Sequence, residues 1–96
     1  MIKSIRHKGL AKLYGSGFSS GVQAAHVKRL RLRLRLQLAA LDTAQVIEDL
    51  SIPGFGLHPL KGKLKGRWSI WVSGNWRLTF EFKDGYVYVL DYEDYH

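Results

Sequence analysis

Apolar and polar positions change rhythm twice along the chain. Met1 to His7 reads as a short strand, and Lys8 to Tyr14 as a brief helix that ends where Gly15 and Gly17 permit a left-handed turn. From Ala24 to Leu41 two rhythms compete, because Arg29-Leu30-Arg31-Leu32-Arg33-Leu34-Arg35-Leu36 alternates with the period of a strand. The residues are nevertheless Leu, Arg, Gln and Ala, all strong helix formers, and none after Val27 is β-branched. The segment is also far longer than a usual strand. We therefore read a helix, in which Val27, Leu30, Leu34, Leu38 and Leu41 form one stripe at spacings of three and four. Leu32 and Leu36 then fall on a different face, flanked by arginines, and are candidates for a protein contact.

Asp42-Thr43-Ala44-Gln45 resembles a capping box, with Asp42 at the N-cap and Gln45 three residues on, so a second short helix is expected to run to about Leu50. Ser51 to Gly56 is a loop. From Trp68 the rhythm becomes alternation. Trp68, Ile70 and Val72 share one face. After a Gly74-Asn75 turn, Leu78, Phe80 and Phe82 share one face of the next strand while Arg77, Thr79 and Glu81 point the other way. Asp84-Gly85 signals a hairpin, and Val87 to Tyr92 completes an antiparallel meander. Helices first and a sheet after give an α+β architecture.

A chain of 96 residues, 46% hydrophobic and without a break in composition, fits a single domain over residues 1–96. The absence of cysteine removes disulfides and thiolate metal ligation and favours a reducing compartment, the cytoplasm. The N-terminal residues Lys3, Arg6, His7 and Lys8 break any apolar core that a signal peptide needs, and no apolar run approaches the roughly 20 residues that cross a bilayer. No membrane role is expected. The net charge of +7 favours polyanions through steering and counterion release.

No glycine-rich phosphate loop is present, which argues against an ATP or NAD enzyme, and no cofactor is expected. His7, His26, His58 and His96 do not have metal-ligand spacing. Polar side chains suited to chemistry gather late: His58 and Lys61 before the sheet, Arg77 on a strand, and Asp91-Tyr92-Glu93-Asp94-Tyr95-His96 at the terminus.

Leu57-His58-Pro59-Leu60-Lys61-Gly62, then Gly66-Arg67-Trp68-Ser69-Ile70-Trp71-Val72, then Asn75-Trp76-Arg77-Leu78-Thr79-Phe80, and finally Asp91 to His96 resemble the HigB branch of the RelE toxin superfamily in order and spacing. The start, Met1 to Ile5 with His7 to Leu10, resembles it too, so the likeness spans nearly the whole chain. The resemblance implies a RelE-like microbial ribonuclease fold, with N-terminal helices packed on an antiparallel sheet of three to five strands. It also implies a toxin of a type II toxin-antitoxin system, a ribosome-dependent endoribonuclease that cleaves mRNA in the ribosomal A site. A HigA-type antitoxin would restrain it, and the free toxin would be a monomer. The same resemblance places the active site at His58, Lys61, Arg77, Asp94, Tyr95 and His96, and suggests a taste for adenine-rich codons. One departure is visible: many relatives carry a basic residue just after the strand that matches Trp68 to Val72, where this chain has Ser73-Gly74. Arg67 or Lys65 is a possible substitute.

Metal-free RNA cleavage needs a base for the ribose 2′-hydroxyl, cations for the phosphorane charge and an acid for the departing 5′-oxygen, and all three kinds of group are present. Lys61 and Arg77 suit the scissile phosphate, Arg77 through its bidentate fork. The competing reading of Arg77 is a cross-strand ion pair with Glu81 or Glu93. His96 suits the acid, while His58, Asp94 and Tyr95 compete for base, orienting and stacking roles. Trp71, Trp76, Tyr92 and Tyr95 are either base-stacking platforms or core. Two other classes remain: a non-catalytic or ParE-like superfamily member, and a DNA-binding module using the Arg29 to Arg35 helix.

Overall fold

The computed structural model describes residues 1–16, 24–62 and 66–94. Two helices, α1 (Lys8–Ser16) and α2 (Ala24–Thr43), precede a 3₁₀ turn (Ile47–Leu50) and four strands: β1 (His58–Pro59), β2 (Arg67–Ser73), β3 (Trp76–Lys83) and β4 (Tyr86–Asp94). The strands form one antiparallel sheet in the order β1-β2-β3-β4.

Helix wins over strand in the Arg-Leu segment, as propensity and length require. Leu34, Leu38 and Leu41 of α2 are buried with Ile70, Val72, Leu78, Phe80, Val87, Leu90 and Tyr92 of the sheet. Burying each such side chain contributes on the order of 1.5–3 kcal/mol. The side chains of Val27, Leu30 and Leu32 lie outside the described residues. Leu36 is 60% exposed, off the stripe as expected. Arg33, in contrast, is no part of a solvated rim. Its guanidinium donates to the carbonyls of Gly54 (2.7 Å), Trp71 (3.0 Å) and Val72 (2.9 Å) and sits 5.1 Å from the Trp71 ring centroid. It thereby straps the 53–55 turn and β2 to the helix.

The expected capping box at Asp42 does not form. The helix runs through Thr43, and Asp42 is drawn back across the molecule, accepting from the Ile2 N–H (2.9 Å) and the Tyr14 hydroxyl (2.9 Å). The short turn that follows is instead held by Asp49, whose carboxylate accepts from the N–H groups of Gln45 and Val46.

The expected N-terminal strand is reduced to two parallel bridges along β4, Ile2↔Val87 and Ile5↔Leu90. The reason lies in β4, where a bulge places two residues, Val89 and Leu90, opposite the single Phe80 of β3 between the pairs Thr79↔Asp91 and Glu81↔Tyr88. Val89 in that bulge adopts φ +52, a left-handed conformation that a β-branched residue resists. The Ser4 hydroxyl, not a ladder carbonyl, accepts its N–H (2.7 Å).

The Asp84-Gly85 hairpin forms as the sequence predicts, with both residues at positive φ (+54 and +82). A Cβ on Gly85 would also lie 3.4 Å from the Gln45 carbonyl. At the other sheet edge, β1 ends in Pro59, which lacks an N–H and is tolerated there.

Candidate active site on the open face of the sheet

Strand alternation gives the sheet two unlike faces. One packs on the helices. The other carries Arg67, Ser69 and Trp71 from β2, Arg77, Thr79 and Glu81 from β3, and Tyr88, Asp91 and Glu93 from β4. Register aligns His58, Ser69, Thr79 and Asp91 in one row across all four strands and Trp71, Arg77 and Glu93 in the next.

Two members of the first row are buried although they do not face the helices: Ser69 and Thr79 are both 0% exposed. The Ser69 hydroxyl lies 3.4 Å from Nδ1 of His58. The Thr79 hydroxyl accepts from the Arg67 guanidinium (3.2 Å) and donates to the Glu93 carboxylate. Arg67 also donates to the Val89 carbonyl in the bulge (3.0 Å). A layer of polar side chains thus lies across this face, each member held from a neighbouring strand.

His58 is exposed on β1, Lys61 is exposed just beyond it, and Arg77 is half-buried on β3. His58 and Arg77 share the open face two strands apart, about 10 Å at ordinary strand spacing. Lys61 lines a pocket of about 340 Å³ with Pro59, Leu60, Gly62, Gly66, Arg67 and Trp68. Asp94 ends β4 opposite Trp76, so alternation puts it on the Tyr92 side of the strand, not with Arg77. Tyr95 and His96, and Lys65 among the substitute cations, lie outside the described residues. Among the described residues no cluster of His, Asp or Glu is arranged to hold a metal ion.

The alternative reading of Arg77 pairs it with Glu81 or Glu93, both on the same face of the sheet. Glu93 is its register partner, yet the Glu93 carboxylate takes the Thr79 hydroxyl. Arg67 donates from one guanidinium nitrogen to both Thr79 and the Val89 carbonyl, and so braces the bulge from β2. The aromatic residues divide by face. Tyr92, 4% exposed, stacks on Trp76 at 4.7 Å and belongs to the helix side. Trp71 is 39% exposed beside Arg77, with the Arg33 guanidinium over one face of its ring. The buried hydroxyls of Ser69 and Thr79 escaped sequence reasoning. Alternation put Thr79 on the polar face, but no spacing announces that it holds a carboxylate.

A family model described as a RelE-like toxin of type II toxin-antitoxin system HigB matches residues 3–96. The chain is 51% identical over 96 residues to the Endoribonuclease HigB of Proteus vulgaris, covering 100% of both chains. It is 44% identical over 61 residues to Toxin HigB-1 of Vibrio cholerae serotype O1, covering 62% of this chain and 63% of that one. The two helices on a four-stranded antiparallel sheet are the α+β arrangement that the RelE resemblance implies. By this match over nearly its whole length, the chain belongs to the HigB family of RelE-like toxins of type II toxin-antitoxin systems.

Proposed function

We propose that this toxin is an endoribonuclease that cleaves mRNA in the ribosomal A site without a metal, and so stops translation. The printed name of its Proteus vulgaris relative supports RNA cleavage. The observation that carries the reading is the open face itself, where an exposed imidazole at His58 and the half-buried Arg77 share a polar floor beside the exposed Trp71, with the exposed Lys61 just beyond β1.

In this reading His58 takes the proton from the ribose 2′-hydroxyl. The 2′-oxygen forms a bond to phosphorus, the bond from phosphorus to the 5′-oxygen breaks, and His96 supplies that oxygen with a proton. The products are a 2′,3′-cyclic phosphate and a 5′-hydroxyl. Arg77 and Lys61 carry the charge that builds on the phosphoryl oxygens, each worth roughly 10²–10³ in rate. Trp71 and Tyr95 offer surfaces for bases, and Asp94 orients the terminal residues. The basic surface favours ribosomal RNA as the setting.

As a type II toxin the chain has an antitoxin partner, here taken to be a HigA-type protein bound by a single-domain, monomeric toxin. Translating ribosomes place the action in the cytoplasm. Among the described residues no helix is long and apolar enough to cross a membrane. The chemistry is tested with an mRNA carrying a 2′-deoxy substitution at the nucleotide 5′ to the cut. The reading expects cleavage there to vanish, and persistent cleavage overturns the 2′-hydroxyl route.

A further inference from the structure

Ser69 is completely buried on the open face, in the row between His58 of β1 and Thr79 of β3. A buried hydroxyl without a partner costs on the order of 1–3 kcal/mol. Its partner is Nδ1 of His58, 3.4 Å away on the directly paired residue of β1. The two nitrogens of an imidazole flank one ring carbon, and their outward N–H or lone-pair axes diverge. When Nδ1 is tied to the sheet, Nε2 is the nitrogen turned away from it.

We propose that Ser69 is a positioning residue for His58, accepting a hydrogen bond from Nδ1–H so that the lone pair of Nε2 faces the RNA. The inference rests on the RNA-cleaving role given to His58 above. A hydroxyl suits the task because its oxygen accepts from Nδ1–H in both the neutral ring and the protonated one. The proton leaving the 2′-hydroxyl enters at Nε2, and nothing changes at Nδ1, so the ring keeps its orientation through the proton transfer. An exposed imidazole without such a contact rotates broadly about its second side-chain torsion. It would spend part of its time with the wrong nitrogen forward. Arg33, Gln37 and the Phe55 carbonyl brace the neighbouring Trp71 backbone, which keeps this stretch of β2 fixed beneath the ring.

The test is nitrogen NMR of the imidazole rings in the full chain, with His58 assigned by its loss in His58→Gln, combined with cleavage kinetics. In the wild type, the neutral His58 ring is expected predominantly as the Nδ1–H form. In Ser69→Ala the two tautomers mix and kcat falls by between about 10- and 100-fold with KM little changed, the scale of losing orientation at a reacting group. Ser69→Thr, which keeps the hydroxyl, restores both readouts. A wild-type ring found mainly as the Nε2–H form overturns the proposal even if Ser69→Ala fails to fold. An unchanged tautomer in a folded Ser69→Ala overturns it as well. A tautomer that shifts while kcat does not overturns it through the catalytic role of His58, with the Ser69 contact left standing.

Discussion

The Thr79 hydroxyl donates to the Glu93 carboxylate across 14 residues of sequence, while accepting from Arg67. Glu93 lies three residues before His96, so this bond anchors the strand from which the terminal residues depart. Thr79→Val keeps the shape and removes the hydroxyl, leaving a carboxylate and a guanidinium short of a partner. It is expected to cost about 1–3 kcal/mol in chemical denaturation and to lower cleavage more than substrate binding. A neutral result would mean that Glu93 is held by something else.

Arg77→Ala and Lys61→Ala are each expected to lower cleavage by about 10²-fold or more, with a smaller loss in ribosome binding, as for groups that act on charge developing in the transition state. Equal losses in binding and rate would make them positioning residues for the RNA.

The Ile2 N–H holds the Asp42 carboxyl below its ordinary value of 3.8, with the Tyr14 hydroxyl and the N-terminal ammonium adding to the effect and burial opposing it. A lowered value in the folded state contributes stability that is present above the unfolded value and is lost as pH falls through the folded one. Thermal melts of the wild type should therefore weaken below about pH 4. Asp42→Asn, which keeps an oxygen acceptor, should flatten that acid limb. Tyr14 runs the other way: its hydrogen bond to Asp42, then burial and the Asp42 charge, raise it above 10.0, so its contribution fades as pH rises past that value. An acid limb unchanged in Asp42→Asn would remove Asp42 from this role.

The phase of α2 was legible in the sequence and gives a sharp contrast. Leu34 is 0% exposed and Leu36 is 60% exposed, two residues apart. Leu34→Ala is expected to cost about 2–5 kcal/mol, and Leu36→Ala less than about 0.5 kcal/mol, measured by urea denaturation. Similar costs would mean that the helix is rotated.

Periodicity was the readable part of this fold because it reflects burial, which acts on every residue of an element at once. It predicted the faces of α2, β2 and β3 and the Asp84-Gly85 turn. Features set by single long-range hydrogen bonds were not readable. Asp42 matches a capping pattern locally, yet Ile2 and Tyr14, 40 and 28 residues away, claim its carboxylate. Arg33 looks like one more arginine of a solvated run, but three backbone carbonyls claim its guanidinium. In the candidate site, His58, Lys61 and Arg77 are legible as late polar side chains and take their active-site placement from the resemblance, whereas the contacts of Ser69, Thr79 and Arg67 become visible only when strand register sets them side by side.

The most direct test is primer extension on an mRNA under translation by purified ribosomes, with the wild-type toxin and His58→Ala compared. New 5′ ends are predicted within codons occupying the A site, present with the wild type and absent with the variant. If the wild-type protein cuts neither that mRNA nor free RNA, the ribonuclease account is contradicted.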